Sequence, residues 1–225
     1  MKRTVLSSLL ALAFSLALLA AAVYVPGTAE WVMRPLMEHF APPEDTHLPA
    51  EEYGPVVGMI TRYLQGDEIP FQHVFLMNGA QYAAFNAKEQ HHMADVQSLF
   101  HLCRTVGWTS AGVAIALAVI LRRTFPWRIF RRTLIAILAA VTAVIILACI
   151  DFDSLFILFH QLAFANDLWL LDPKTDLLIR LMPLEFFISY AAIIGGIWLA
   201  GMVGLLILAT VRIRKLQPKK ASDIE

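Results

Sequence analysis

The sequence predicts an all-α membrane protein. Four transmembrane helices, both termini in the cytoplasm and two helical extracytoplasmic segments forming a cap make up one expected membrane domain, residues 1–225. Three observations carry this expectation. Apolar runs recur that reach or approach the roughly 20 residues a bilayer span needs. Basic residues gather at one set of run ends, and acids and histidines at the other. The composition, 58% hydrophobic and 16% charged, is too apolar for an ordinary soluble domain of this size. In lipid a backbone must satisfy its own hydrogen bonds, so each run reads as a helix.

The first span covers residues 4–25, and "PGTAEW" reads as the turn that leaves it. A cleaved signal peptide is the competing reading, because "LALLAAA" offers small residues to a protease. The run is longer than a usual signal core. Retaining it gives an even number of spans and puts every basic cluster on one side. Charge alone fits both readings, since removal after insertion leaves the other spans oriented alike.

Residues 26–102 form the first extracytoplasmic segment. "APPEDTHLPAEE" reads as a Pro- and acid-rich loop. Val56, Met59, Ile60, Tyr63 and Leu64 then follow the i, i+3, i+4, i+7, i+8 pattern of an amphipathic helix, ended by "QGDEIP". "FQHVFLMN" is apolar and too short to span, and its period does not choose between a strand and an interfacial segment. Residues 87–103 read as a helix feeding the second span, with Val96, Leu99 and Cys103 in one stripe. His92 and Asp95 share that face at i and i+3. His91 points about 100° away from His92 and can pair with Asp95 at i+4.

The second span is 103–121 and the third 133–150, joined by the cytoplasmic link 122–132 with its five arginines. Residues 151–185 form the second extracytoplasmic segment. There Phe152, Leu155, Phe156 and Phe159 mark an amphipathic helix, with His160 extending the same face. Asp151 and Asp153 stand at its start, where carboxylates favour a helix N-terminus. "ANDLW" and "LDPKTD" read as turns. The fourth span is 186–211, and the tail 212–225 carries Arg212, Arg214, Lys215, Lys219 and Lys220. Gly196, Ala200 and Gly204 have the small-xxx-small spacing that lets a neighbouring helix approach. Trp31, Trp108 and Trp169 lie near extracytoplasmic helix ends, where an aromatic belt sits.

Orientation follows from charge. Net charge is zero, yet 12 of 18 basic residues lie before span one, between spans two and three, or after span four. Sixteen of 18 acids and all seven histidines lie in the two opposite segments. The positive-inside rule therefore places the basic ends in the cytoplasm. Two cysteines, Cys103 and Cys149, fix no disulfide framework and read as free, packed thiols.

Signatures of soluble enzymes are missing: no G-x-S-x-G, no P-loop, no GxGxxG after a strand and no H-E-x-x-H. The acidic face argues against a nucleic-acid partner. Histidine and carboxylate beside lipid leave three readings. One is acid/base catalysis, in which a carboxylate fixes an imidazole's tautomer. Another is a metal site drawn from His91, His92, Asp95 and His160, which ranks lower because adjacent histidines diverge. The third treats the polar residues as helix caps and headgroup contacts; His39, His47, His73 and His101 fit this best, and His91 stands between the first reading and the third.

The arrangement E-x-x-H-M-x-D-V, formed by Glu89, His92, Met93, Asp95 and Val96, resembles the signature of the four-helix lipoprotein intramolecular transacylase family. The stretch "FDSLFILFHQLAFANDLWLLDPKTDLLIRLMP" is similar to that family's F-D-x-x-F-x-x-F-H…F-x-N-D-x-W-x-L-D-P-x-T-D-x-L-I pattern. "MPLEFF" departs from its F-P-E-x-F-F tail, with Glu185 one place later. The resemblance spans nearly the whole chain. It implies a bacterial cytoplasmic-membrane enzyme with its active site on the extracytoplasmic face. Such an enzyme moves an acyl chain from the sn-2 position of a diacylglyceryl-lipoprotein to the α-amine of its N-terminal cysteine, leaving a lyso-form lipoprotein. It implies no cofactor and no metal, since donor and acceptor are one molecule.

The residues fit such chemistry. A substrate α-amine titrates near 7.7–8.0, within reach of a histidine base. Holding amine and ester on one scaffold is worth up to about 7–11 kcal/mol. His92 is expected as general base, with Asp95 or Glu89 orienting it. His160 is expected as proton donor or oxyanion stabiliser, and these two roles are interchangeable at this level. Asn166 is a further donor to the oxyanion or headgroup; Asp153 and Asp176 are expected to be structural supports. Two other classes remain as alternatives: a metal-dependent membrane hydrolase acting on lipid, and a non-catalytic membrane assembly or sensor protein. A straight second helix raises one geometric difficulty, because it lifts His92 about 15 Å above the hydrocarbon boundary.

Overall fold

The computed structural model describes residues 2–67, 70–77 and 79–216. Within these, four helices are long and apolar enough to cross a membrane: α1 (Lys2–Thr28), α5 (Ala87–Leu121), α6 (Trp127–Ile150) and α9 (Leu184–Lys215). Between α1 and α5 lie α2 (Glu30–Phe40), α3 (Pro43–Thr46), α4 (Ala50–Gln65), β1 (Val74–Met77) and β2 (Ala80–Ala83). Between α6 and α9 lie α7 (Phe152–Ala163) and α8 (Leu177–Leu181).

The four-helix architecture is the expected one, and α1 is its hub. It packs against α5, α6 and α9. Its buried positions include Ser7, Ala11, Ala13, Ser15, Ala20 and Ala22, small residues that let helices come close. Polar ties run along its length. Trp198 Nε1 donates to the Ser15 carbonyl (3.2 Å), Tyr190 Oη to the Val23 carbonyl (2.6 Å), and Ser8 pairs with Thr133 (3.0 Å). With no hydrophobic drive between helices in lipid, packing of this kind carries association.

Several local expectations change. The turn expected at "PGTAEW" shrinks to Ala29, because α1 runs through Pro26 and α2 begins at Glu30. Near the proline, Thr28 Oγ1 donates to the Tyr24 carbonyl and Tyr190 Oη to that of Val23. The loop expected over "APPEDTHLPAEE" contains α3 and the start of α4; proline at the first helical position costs no hydrogen bond there. "FQHVFLMN" contributes β1, which pairs with β2 antiparallel, Val74 opposite Ala83 and Met77 opposite Ala80. The dipeptide Asn78-Gly79 in the sequence is the hairpin signal, and Gly79 takes the positive φ (80°) such a turn needs. Asn78, Glu68 and Ile69 lie outside the described residues, as do Lys219 and Lys220 of the tail.

The small-residue stripe also departs from expectation. A Cβ added to Gly196 or Gly204 meets nothing within 4 Å. The Trp198–Ser15 bond turns the Trp198, Met202 and Ala209 face toward the bundle, and Gly196 and Gly204 fall off that face. The close approaches are elsewhere, at Gly201 on Leu18, Gly107 on Ala20 and Gly27 on Phe100 and Tyr190. Both cysteines are free as expected, but Cys149 is exposed rather than packed.

A second core sits at the histidine-bearing end. Met33 and Met37 of α2, Val56 and Ile60 of α4, Phe71, Phe85, Met93 of α5, Leu178 and Leu181 of α8, and Phe186 of α9 form one cluster. All five apolar positions expected on α4 are buried in it. Both acidic segments therefore share one core with the first turns of α5 and α9.

Candidate active site

The site is built on the first turns of α5. Asn86 caps the helix: its side chain accepts from Glu89 N–H (3.1 Å), and Glu89 Oε2 accepts from Asn86 N–H (2.8 Å), a capping box. The N-x-x-E spacing for this box was present in the sequence beside the E-x-x-H spacing. Glu89 is only 1% exposed, and its second oxygen accepts from Leu178 N–H (2.6 Å) at the start of α8. Both oxygens are thus committed to helix ends, so Glu89 is a clamp between α5 and α8 and is not placed to orient His92. Burial pushes its carboxyl above the usual range, against the lowering effect of those N–H donors.

Asp176 completes the clamp. Its Oδ1 accepts from Asn86 Nδ2 (2.8 Å) and Thr175 Oγ1 (2.8 Å), and Oδ2 from Asp172 N–H (2.8 Å). Desolvation raises this carboxyl, but the donors outweigh it and hold it below its ordinary range. Its geometry is that of a structural partner. Asp153, exposed in the first turn of α7, stands about two turns from His160. The cap of α7 is instead Asp151, which accepts from Ser154 N–H (3.0 Å).

One turn beyond Glu89, His92 is carried inward. It is 7% exposed, and so is His160, 68 positions later. Their ring centroids lie 6.2 Å apart at 32°. That is too far for a hydrogen bond between the rings. His91, by contrast, is exposed. The face of α7 differs in one detail from expectation. Phe156 and His160, at i and i+4, turn inward together with centroids 4.2 Å apart, whereas Phe159 is 54% exposed. Phe164 stands edge-on to His92 (5.1 Å) and Trp169 lies 5.0 Å from His160. Phe164 was not singled out in the sequence, and Trp169 was expected in an aromatic belt rather than against His160; the irregular path of residues 164–176 brings both in, and no periodicity encodes it.

The two imidazoles are held differently. His160 Nδ1 lies 2.8 Å from the Phe156 carbonyl oxygen, which can only accept. Nδ1 therefore carries hydrogen, and in the neutral ring Nε2 carries the lone pair. His92 Nδ1 is buried with no hydrogen-bond partner among the described residues. Burial first, and His160 second, push His92 down to about 4, with Asp95 pulling the other way. Burial also lowers His160, opposed by the Phe156 carbonyl. Both are neutral at pH 7.

Asp95 lies beside His92 and accepts from Asn166 Nδ2 (2.9 Å), while Asn166 Oδ1 accepts from Leu168 N–H (3.1 Å). Asn166 thus ties the two acidic segments together. Lys88 donates to the Leu170 carbonyl at the same seam. Among the described residues, no three His, Cys, Asp or Glu side chains converge as a metal-ligand set. Two neutral histidines this close together in an aromatic setting can move a proton and stabilise an oxyanion.

Comparison with known proteins gives this arrangement a family. The family model for lipoprotein intramolecular transacylase Lit matches residues 8–187. No curated protein sequence matches the chain. Among solved structures, that of the membrane-integral lipoprotein intramolecular transacylase Lit from Bacillus cereus superposes with a TM-score of 0.77 at 18% identity, covering 95% of this chain and 97% of that one. Two structures of the same Bacillus cereus protein carrying a histidine-to-arginine or histidine-to-alanine mutation superpose at 0.74, also at 18% identity and 95% of this chain, covering 93% and 94% of theirs. With its four apolar helices, its paired motifs and this match over most of its length, the chain belongs to the lipoprotein intramolecular transacylase family.

Proposed function

We propose that this protein transfers the sn-2 acyl chain of a diacylglyceryl-lipoprotein to the α-amine of the same molecule's N-terminal cysteine. The observation that carries the chemistry is the His92–His160 pair: two buried, neutral imidazoles 6.2 Å apart, one with a fixed tautomer. His160 is the better base. Its Nδ1 is held by the Phe156 carbonyl, which leaves Nε2 as the lone-pair nitrogen and opposes the lowering by burial, whereas burial and His160 together drive His92 to about 4. This exchanges the two roles expected from the sequence. His92 remains neutral and offers an N–H to the oxyanion, and its unpartnered Nδ1 is a place for a substrate polar group.

The step balances within one substrate. The amine nitrogen attacks the ester carbonyl carbon, a C–N bond forms and the carbonyl becomes an oxyanion beside His92. The surplus amine proton passes to His160 Nε2. The intermediate collapses, the C–O bond to glycerol breaks, and the glyceryl oxygen takes the proton from His160. An amide and a free hydroxyl result. Asp95 and Asn166 keep the two segments in register around the two histidines, and Asn166 is too committed to Asp95 to serve first as an oxyanion donor.

The height of His92 above the second span is met by α7. This helix exposes Ile157, Leu158, Phe159 and Leu162, the last 80% exposed, around the inward His160. An apolar face of that kind belongs at the boundary of headgroups and chains. It brings the lipid ester to the histidines rather than the reverse. Exposed Trp31 and Trp108 at the same end fit an interfacial belt. The reading places the protein in a bacterial cytoplasmic membrane, basic ends inside, residues 26–102 and 151–185 and the site outside. The test is reconstitution with a synthetic diacylglyceryl lipopeptide and fragmentation mass spectrometry of the product. An amide-linked chain and a free glyceryl hydroxyl are expected; a released fatty acid would indicate a hydrolase instead.

A further inference from the structure

About 45 Å from the histidines along α5, at 1.5 Å per residue, the bundle ends in a second concentration of chemistry. A cleft of about 630 Å³ is lined by Arg122 and Arg123 from the end of α5 and by Arg212 and Lys215 from the end of α9. A second cleft, of about 530 Å³, adjoins it and carries Arg128 and Arg132 of α6. The two share a wall of Phe125, Trp127 and Leu216. Phe125 and Trp127 stack with centroids 4.1 Å apart and both pack on buried Phe130, so the wall is anchored in the bundle core.

Membrane topology requires only that basic residues lie on this side. It does not require that cations from two helices face one another across a concavity, where they repel. No acidic residue occurs in 122–132 or 212–216. Among the described residues none of the six cations makes an ion pair. The clefts also have apolar linings, Ala118 in the first and Ile129 and Ile213 in the second, at the depth where spanning helices end. A soluble anion has no use for that floor. A lipid does: phosphate meets the cations while glycerol and the first chain carbons lie on the apolar side.

We propose that this face is a binding site for an anionic phospholipid with two phosphates, one in each cleft, straddling the Phe125–Trp127 wall. Arg122, Arg123, Arg212 and Lys215 hold one phosphate, and Arg128 and Arg132 the other. The site is independent of the acyl-transfer reading and lies on the opposite membrane face.

The experiment uses the full-length protein purified in a zwitterionic detergent, with native mass spectrometry and thermal unfolding read during titration with cardiolipin, phosphatidylglycerol, phosphatidylcholine or inorganic pyrophosphate. One cardiolipin is expected to stay bound and raise the unfolding midpoint, with phosphatidylglycerol weaker and phosphatidylcholine and pyrophosphate without effect. The pairs Arg122→Gln/Arg123→Gln and Arg128→Gln/Arg132→Gln should each weaken cardiolipin about 30-fold, at roughly fivefold per cation. Lys174→Gln, exposed at the other end, controls for net charge and should leave binding unchanged. Should one pair misfold, the other, on its own cleft, still decides the matter. Equal retention of phosphatidylcholine, equal protection by pyrophosphate, or cleft variants that bind like Lys174→Gln would overturn the proposal.

Discussion

Replacing Glu89 with alanine tests whether this carboxylate is a clamp or an orienter of His92. Glu89 is 1% exposed and accepts two backbone N–H groups, from Leu178 at 2.6 Å and Asn86 at 2.8 Å. Alanine leaves the buried Leu178 N–H unpaired, while the Asn86 N–H, on an exposed residue, can turn to water. The buried loss costs about 1–3 kcal/mol, and the variant should lose about that much stability. Glutamine keeps one acceptor oxygen for Leu178 but turns an amide toward Asn86 N–H, so it should lose less. Equilibrium unfolding in detergent micelles, followed by tryptophan fluorescence, gives the order wild type, Glu89→Gln, Glu89→Ala. If Glu89→Ala unfolds like the wild type while acyl transfer collapses, the clamp reasoning is wrong and the residue acts on the chemistry.

Three further outcomes follow from the same geometry. Gly27→Ala puts a Cβ 2.4 Å from Tyr190 Oη and 2.7 Å from the Phe100 ring, so it should cost about 1–3 kcal/mol, whereas Gly196→Ala enters open space and should leave unfolding unchanged; equal effects would discredit the helix faces described. Asn166→Asp sets a second carboxylate against Asp95, so it should slow acyl transfer more than Asn166→Ala does; the reverse order in initial rates would show that the bridge does not matter. Burial holds both histidines below their ordinary 6.5, and so the unfolded state binds protons first as pH falls. Stability should therefore decline from about pH 6.5 toward 4, and His92→Phe should flatten that window, read by unfolding at stepped pH.

Much of this was legible in the sequence, and the reasons differ by element. The spans follow from hydropathy, because lipid leaves a backbone few options. The buried face of α4 follows from its period, and Val56, Met59, Ile60, Tyr63 and Leu64 are all buried. His92 and His160 were nameable because both fall in dense motifs, and their approach to each other is a tertiary fact that only the shared core supplies. Helix α2 escaped notice, since Met33 and Met37 are too sparse a stripe and Pro35 interrupts the pattern. The hairpin escaped because four-residue strands give little periodicity, although Asn78-Gly79 pointed to it. Glu89 was misread because one residue belonged to two patterns, a capping box and a histidine motif, and burial decided between them. The glycine stripe of α9 failed for a related reason: spacing says which residues share a face but not which face meets a neighbour.

The central claim is that two neutral imidazoles, His160 as base and His92 as oxyanion partner, carry an acyl transfer inside one substrate. The measurement that tests it most directly is the single-turnover rate of conversion of a diacylglyceryl lipopeptide by the wild type, His160→Ala and His92→Ala, each shown by its unfolding midpoint to be folded. Loss of about 10²–10⁴-fold is expected for His160→Ala, and of about 10²–10³-fold for His92→Ala, with the amide-linked product formed by the wild type alone. Wild-type rates in a folded variant of either histidine would contradict the account.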